Sequence, residues 1–179
     1  MPKIEQNPHS IKALEMNHGE LIFPVVGKIP RHATVVGNHP NGQVELGAIA
    51  DPGIVFTVNS ASATFKHNFI CTHHWEQAIH IKSKAVPGGI LIAPNQWPGV
   101  DVVWPSHTDR LGATGGSGLY AVLVACEMFD SVRVCGIELD YIWGDYIQYR
   151  RAFQVAWAKN MHGIKDKLIL PESWSWICG

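Results

Sequence analysis

The chain has 179 residues, of which 46% are hydrophobic and 16% charged, values that suit one folded domain and exclude a disordered chain. A formal net charge of −1 and a pI near 6.8 provide no clustered basic face for a phosphodiester backbone, so nucleic acid is not an expected partner. No apolar run approaches the roughly twenty residues that span a bilayer, and no apolar signal segment opens MPKIEQNPHS; the expectation is a cytoplasmic protein without a membrane span, standing alone or as a homo-oligomer.

In chain order, residues 1–31 are mixed and interrupted by Pro8, Pro24 and Pro30, and they read as an N-terminal arm or edge segment. Their one apolar piece, Leu21–Val26, suits an edge strand or a docking arm. From residue 33 the character changes. Ala33–Gly37, Ile54–Asn59, Phe69–Thr72, Ile90–Ala93, Val102–Trp104, Ser131–Ile137 and Lys167–Leu170 are short β-branched runs bounded by turn residues. Most are apolar throughout rather than alternating, as in strands covered on both faces in a parallel sheet.

Helices must then lie between them. Ser117–Phe129 is apolar almost all round and predicts a buried crossover helix. Ile147–Met161 carries an amphipathic stripe through Phe153, Trp157 and Met161, with Gly163 suited to ending it, and Trp75–Ile81 suits a shorter helix. The basic residues Arg150, Arg151 and Lys159 fit a solvated helix face. The four cysteines, Cys71, Cys126, Cys135 and Cys178, are widely spaced and read as reduced thiols. Residues 33–171 thus predict the core of a single α/β, Rossmann-like domain with a mainly parallel sheet flanked by helices. Residues 172–179, with Trp174 and Trp176, predict a tail packed back on it.

Ligands of open α/β sheets bind at the carboxyl ends of the strands, which singles out four segments. Gly37–Gly42 follows the first strand, where Gly37 allows close backbone approach and Asn38 offers both a donor and an acceptor; a plain turn explains the same residues. Gly112–Gly118 opens the apolar helix and would present free N–H groups to phosphate, although taken by itself it is explained slightly better by capping by Thr114 or Ser117 with glycines for close helix packing. No Lys follows these glycines, so this is not a Walker A loop. After Ile137 come Glu138, Asp140, Tyr141, Asp145 and Tyr146, able to bind a sugar, a metal or a phosphate, or to cap the next helix. His73 and His74 follow the third strand and lack a defined third ligand, so no metal site is assigned.

Taken together, GN-x-P after the first strand, Asn59 ending the next, the SG loop opening a helix and GGSGLYAVLVACEMFDSVRVCGIELDY over residues 115–141 resemble the bacterial lipooligosaccharide sialyltransferases. The resemblance covers about the middle three fifths of the chain and is best over Gly112–Tyr146. It implies a glycosyltransferase using a CMP-linked sugar donor, with no obligatory cofactor. Gly37, Asn38 and Asn59 would contact nucleotide or donor sugar, and Thr114, Gly115, Gly116, Ser117 and Gly118 the phosphate-ribose region. Tyr141 and Tyr146 would hydrogen-bond the leaving phosphate.

Asn41 stands where the family has Ser, and no His lies between Glu138 and Ile147. The base that takes the acceptor proton would therefore be Asp140, Asp145 or His107. A related group, the archaeal hydroxymethylpterin pyrophosphokinase-like proteins, is similar in the same skeleton and implies ATP with Mg²⁺, for which Asp140 and Asp145 are candidate ligands. A non-catalytic nucleotide-binding or structural protein of the same fold is the third reading.

Overall fold

The structure is a computed structural model that describes residues 15–17, 20–22, 30–105, 116–139 and 147–174. Two short strands, β1 (Glu15–Asn17) and β2 (Glu20–Ile22), form an antiparallel pair of their own with Met16 opposite Leu21. Leu21 and Ile22 therefore belong to this hairpin, not to an edge of the main sheet.

The main elements, in chain order, are β3 (His32–Val36), α1 (Asn41–Gly47), β4 (Ile54–Val58), β5 (Phe69–Cys71), α2 (Ala78–Lys84), β6 (Ile90–Ala93), β7 (Val102–Val103), α3 (Gly116–Met128), β8 (Ser131–Cys135), α4 (Arg150–Met161) and β9 (Leu168–Ile169). The seven strands β3–β9 form one sheet in the order β7-β6-β5-β4-β3-β8-β9, and every pairing is parallel. The domain is α/β and Rossmann-like, with the sheet wholly parallel. Strand order runs outward from β3 to β7, and the chain then crosses back to place β8 on the other side of β3. That reversal creates the topological switch point where such sheets usually bind ligands.

Side-chain alternation sorts the sheet into two faces. Ala33, Val35, Phe56, Val58, Phe69, Cys71, Ile92, Val132 and Val134 join one large cluster with α3. Leu119–Cys126 of that helix is buried without a break, as expected of a helix apolar on all sides. Phe56 stacks on Phe69 with ring centroids 4.7 Å apart, and the edge of Phe129 closes the group at 6.0 Å. Lys167, just before β9, donates from Nζ to the carbonyl oxygens of Cys126 (2.7 Å) and Phe129 (3.3 Å). The ammonium thus answers the unpaired carbonyls and negative end of α3.

The helix α4 packs on the same cluster through Trp157 and Met161. Trp174, from the C-terminal segment, meets Trp157 edge to face at 4.8 Å and donates from Nε1 to the Ile137 carbonyl at 2.8 Å. Arg150, Arg151 and Lys159 are solvent-exposed. Met161 is followed by turn residues and not by a left-handed glycine, since Gly163 does not adopt positive φ.

The opposite face is thinner. Val36, Val55 and Cys135 meet Leu46 and Ile49 at the α1 end, and Ile70 and Leu91 meet Ala78 and Ile81 of α2. Both helices have seven residues. The helix α1 was not foreseen, because His39-Pro40-Asn41-Gly42 reads as a turn and NGQVELG has no apolar stripe. Val44 at its centre is 75% exposed. Among the described cysteines, Cys71, Cys126 and Cys135 are free and buried.

Candidate functional site

The carboxyl edge of the sheet is built around three glycines. Gly37, at the exit of β3, donates its N–H to the Cys135 carbonyl (2.8 Å), and His39 donates to the Gly136 carbonyl (3.0 Å). A Cβ on Gly37 would fall on the Gly136 carbonyl oxygen and lie 2.6 Å from Ile137 Cγ1. Gly136 has φ +58°, and a Cβ there would lie 2.7 Å from Gly42 Cα. Gly42 in turn has Gly136 Cα 3.0 Å from the place of its missing Cβ. The close approach that Gly37 permits is therefore to backbone, which draws the first turn of α1 onto the end of β8. Glu45 fastens the junction by accepting the Gly136 N–H at Oε2 (2.7 Å).

Asn38, next in the chain, is exposed. Asn59 ends β4 in the left-handed region, with φ +50°, an uncommon conformation that asparagine tolerates better than most residues. Its carbonyl accepts the Ser62 hydroxyl (2.8 Å), while its side-chain Oδ1 is buried without a hydrogen-bond partner among the described residues. Buried amide oxygens are nearly always paired, so this acceptor is an exception that calls for a donor.

The first turn of α3 spans these strand ends. Ser117 Oγ accepts the backbone N–H of His73 (2.9 Å), just beyond β5. The place of a Cβ on Gly118 lies 3.4 Å from Ile137 Cδ1 and 3.5 Å from Trp157 Cζ2, beyond β8. A helix start held at both β5 and β8 lies over the intervening ends of β3 and β4, where Asn38 and Asn59 sit. Gly116 opens the helix at φ +65°, with Phe153 of α4 against it. Gly37, Asn38, Asn59, Gly116, Ser117 and Gly118 thus share one edge. Ser117 spends its hydroxyl oxygen on the His73 N–H and so ties the loop after β5 to α3.

His73 borders this edge, its ring 6.2 Å from that of Tyr120. Burial, helped by neighbouring His74, holds its pKa below the ordinary histidine value, so it stays neutral near pH 7 and can accept a proton or donate a neutral hydrogen bond. Tyr120 donates to the Trp104 carbonyl (2.9 Å), and burial pushes its phenol far up; it is a core group, not an acid. His74 faces Glu76, with Nδ1 3.5 Å from Oε1. Among the described residues no group of three or more His, Cys, Asp or Glu side chains could hold a metal ion.

Asp140, Tyr141 and Tyr146, with Asp145, His107, Thr114, Gly115 and Cys178, lie outside the described residues. Two further residues, Glu45 at this end and Arg133 in the middle of β8, were not singled out from the sequence. Arg133 had a signal, since it is the one charged side chain within SVRVCGI; its place in a strand with buried neighbours marks it as unusual. Glu45 had none, because its role depends on the approach of β8.

No helix among the described residues is long and apolar enough to cross a membrane. No protein-family model, curated protein or solved structure matches the chain.

Proposed function

We propose that the carboxyl edge binds a nucleotide, and that the protein is a glycosyltransferase-like enzyme moving a sugar from a CMP-activated donor. The observation that carries this reading is the first turn of α3, held at His73 on one side and Ile137 on the other. The N–H groups and positive dipole end of a helix start suit a phosphate. Beside them the unpartnered Oδ1 of Asn59 suits a ligand hydroxyl or amino donor, and exposed Asn38 supplies a second amide.

In this reading the chain acts mainly by charge placement. The donor phosphate gains negative charge as the glycosidic bond breaks, and hydroxyl donors from Tyr141 and Tyr146 stabilise it most when that charge is greatest. Asp140 is the candidate to take the acceptor's proton. No obligatory metal is required.

One observation favours a second reading, a non-catalytic nucleotide-binding or structural protein: Gly37, Gly42 and Gly136 are all explained by backbone packing. Calorimetric titration with CMP, CDP, ATP and GTP, each with and without Mg²⁺, separates the readings. Selective metal-independent binding of a cytidine nucleotide supports the transferase. ATP binding that needs Mg²⁺ moves the protein to the pyrophosphokinase-like class, and no binding at about millimolar concentration leaves the structural reading.

A further inference from the structure

On the sheet face opposite α3, a cavity of about 350 Å³ lies between α1 and the β8–β9 edge. Its face is fixed by alternation: Val132 and Val134 point into the α3 cluster, so Arg133 points the other way, paired across the register with Ile169 of β9. Asn41, Glu45, Arg133, Glu138, Leu170 and Ser173 are among the residues lining it.

The charges in this lining do not satisfy one another. Glu138 is only 6% exposed, yet its Oε1 has no hydrogen-bond partner among the described residues. Glu45 already spends Oε2 on the Gly136 N–H. Neither Arg133 nor Glu138 takes part in an ion pair with a described residue, although both border the same space. A buried carboxylate oxygen without a donor is costly to keep, and simple packing would be served better by an apolar residue. The field of the site is already felt by a neighbour: burial and the Glu45 charge push the Cys135 thiol up to about 11, with Arg133 acting in the opposite sense.

We infer that this cavity is a binding site for a small zwitterion, a primary amine and a carboxylate joined by a short chain. The ammonium donates to Glu138 and the carboxylate accepts from Arg133. A ligand with both charges fits better than a simple cation or anion, because it neutralises two groups that do not reach each other. Leu170 and the other apolar lining atoms suit the methylenes between its ends. The site lies on the face opposite α3, so this inference stands or falls separately from the nucleotide reading.

The test uses a ladder of probes on the full chain: glycine, β-alanine, γ-aminobutyrate, 5-aminovalerate and 6-aminohexanoate, with butylamine and butyrate as singly charged controls. Binding is read by calorimetry and by the shift in melting temperature. The expected result is an affinity maximum at one chain length, with both controls weaker by about tenfold or more. Glu138→Gln and Arg133→Gln should each abolish that preference. Glu138→Gln should also leave the melting temperature of the free protein unchanged or raised, since it replaces a buried oxygen that has no donor among the described residues.

The inference is overturned if no zwitterion binds at about 10 mM, or if either control matches the best zwitterion. It is also overturned if Glu138→Gln lowers the melting temperature of the free protein, because the carboxylate would then serve the fold. Arg133→Gln, at a half-buried position, provides the second variant for the binding test.

Discussion

The two faces of the sheet solve the same problem differently. On the α3 face a thirteen-residue helix and two tryptophans complete a continuous apolar layer, and the polar groups there find partners, as Trp174 Nε1 and Lys167 Nζ do. On the other face two seven-residue helices cover part of the sheet, Thr34 and Thr57 sit among the buried residues, and open space remains beside Arg133. The comparison teaches that stability is concentrated on one side of a single sheet. The thinner side and the carboxyl edge are free to keep groups that packing alone would discard, such as Glu138 and Asn59.

The largest blow to this arrangement is Trp157→Ala. It deletes a nearly inaccessible side chain together with the edge-to-face contact to Trp174, and should cost about 3–5 kcal/mol in chemical denaturation. A comparable loss from Val44→Ala, on the thin face, would erase the proposed asymmetry. Gly37→Ala comes next, because its methyl group meets backbone that a rotamer change cannot move. A destabilisation of about 2–4 kcal/mol is expected. Gly47→Ala, with open space around the new methyl, should instead stabilise α1 by about 0.5–1 kcal/mol.

A smaller effect is expected from acid. His67 donates from Nδ1 to the Phe65 carbonyl (2.7 Å), and its Nε2 is buried without a partner among the described residues. Burial, partly opposed by that hydrogen bond, holds its pKa below the ordinary 6.5. Below that ordinary value the unfolded chain takes up a proton that the native ring resists, so stability falls as pH drops. Denaturation of the wild type and His67→Asn at about pH 7.5 and 5.5 should show a shallower loss in the variant. Equal slopes would remove His67 from the account. Least disruptive of all, Asn38→Ala at an exposed loop position should weaken nucleotide binding while moving the melting temperature by under about 2 °C; unfolding would make Asn38 structural.

These contrasts also explain what could be read from the sequence. All seven strands of the main sheet were visible as short β-branched or apolar runs, and IVFTV, FIC and ILIA are dominated by residues that leave water on both faces. The crossover helix was visible because its thirteen residues carry almost no polar surface. By contrast, α1 was hidden by its own composition: it is held to β8 by Gly42, whose contribution is the absence of an atom. The short 3₁₀ turn at Asn59–Ala63 was missed for a related reason, since NSASA has no apolar period.

The strand-end positions of some candidate residues were legible, but not what holds them there. Gly37, Asn38, Asn59 and the start of α3 could be assigned to strand ends from the order of runs and loops. That Gly37 must make room for Gly136, and that Glu45 fastens Gly136, depends on contacts between segments about a hundred residues apart in the chain.

That same separation has a consequence for how the protein is made. The central strand β3 has β4 available as soon as the chain turns back, but its other neighbour is β8. The Arg31–Asp130 bond at the base of that pairing joins positions 99 residues apart. At a synthesis rate of about 5–20 residues per second, one edge of β3 waits roughly 5–20 s for its partner to be made. Ribosome-bound chains ending before residue 131 should therefore be cleaved readily within β3 in limited proteolysis, whereas chains with residues 131–135 clear of the exit tunnel should resist. The order of strands across the sheet thus also sets a timetable, in which the last central hydrogen bonds close only when most of the chain has been translated.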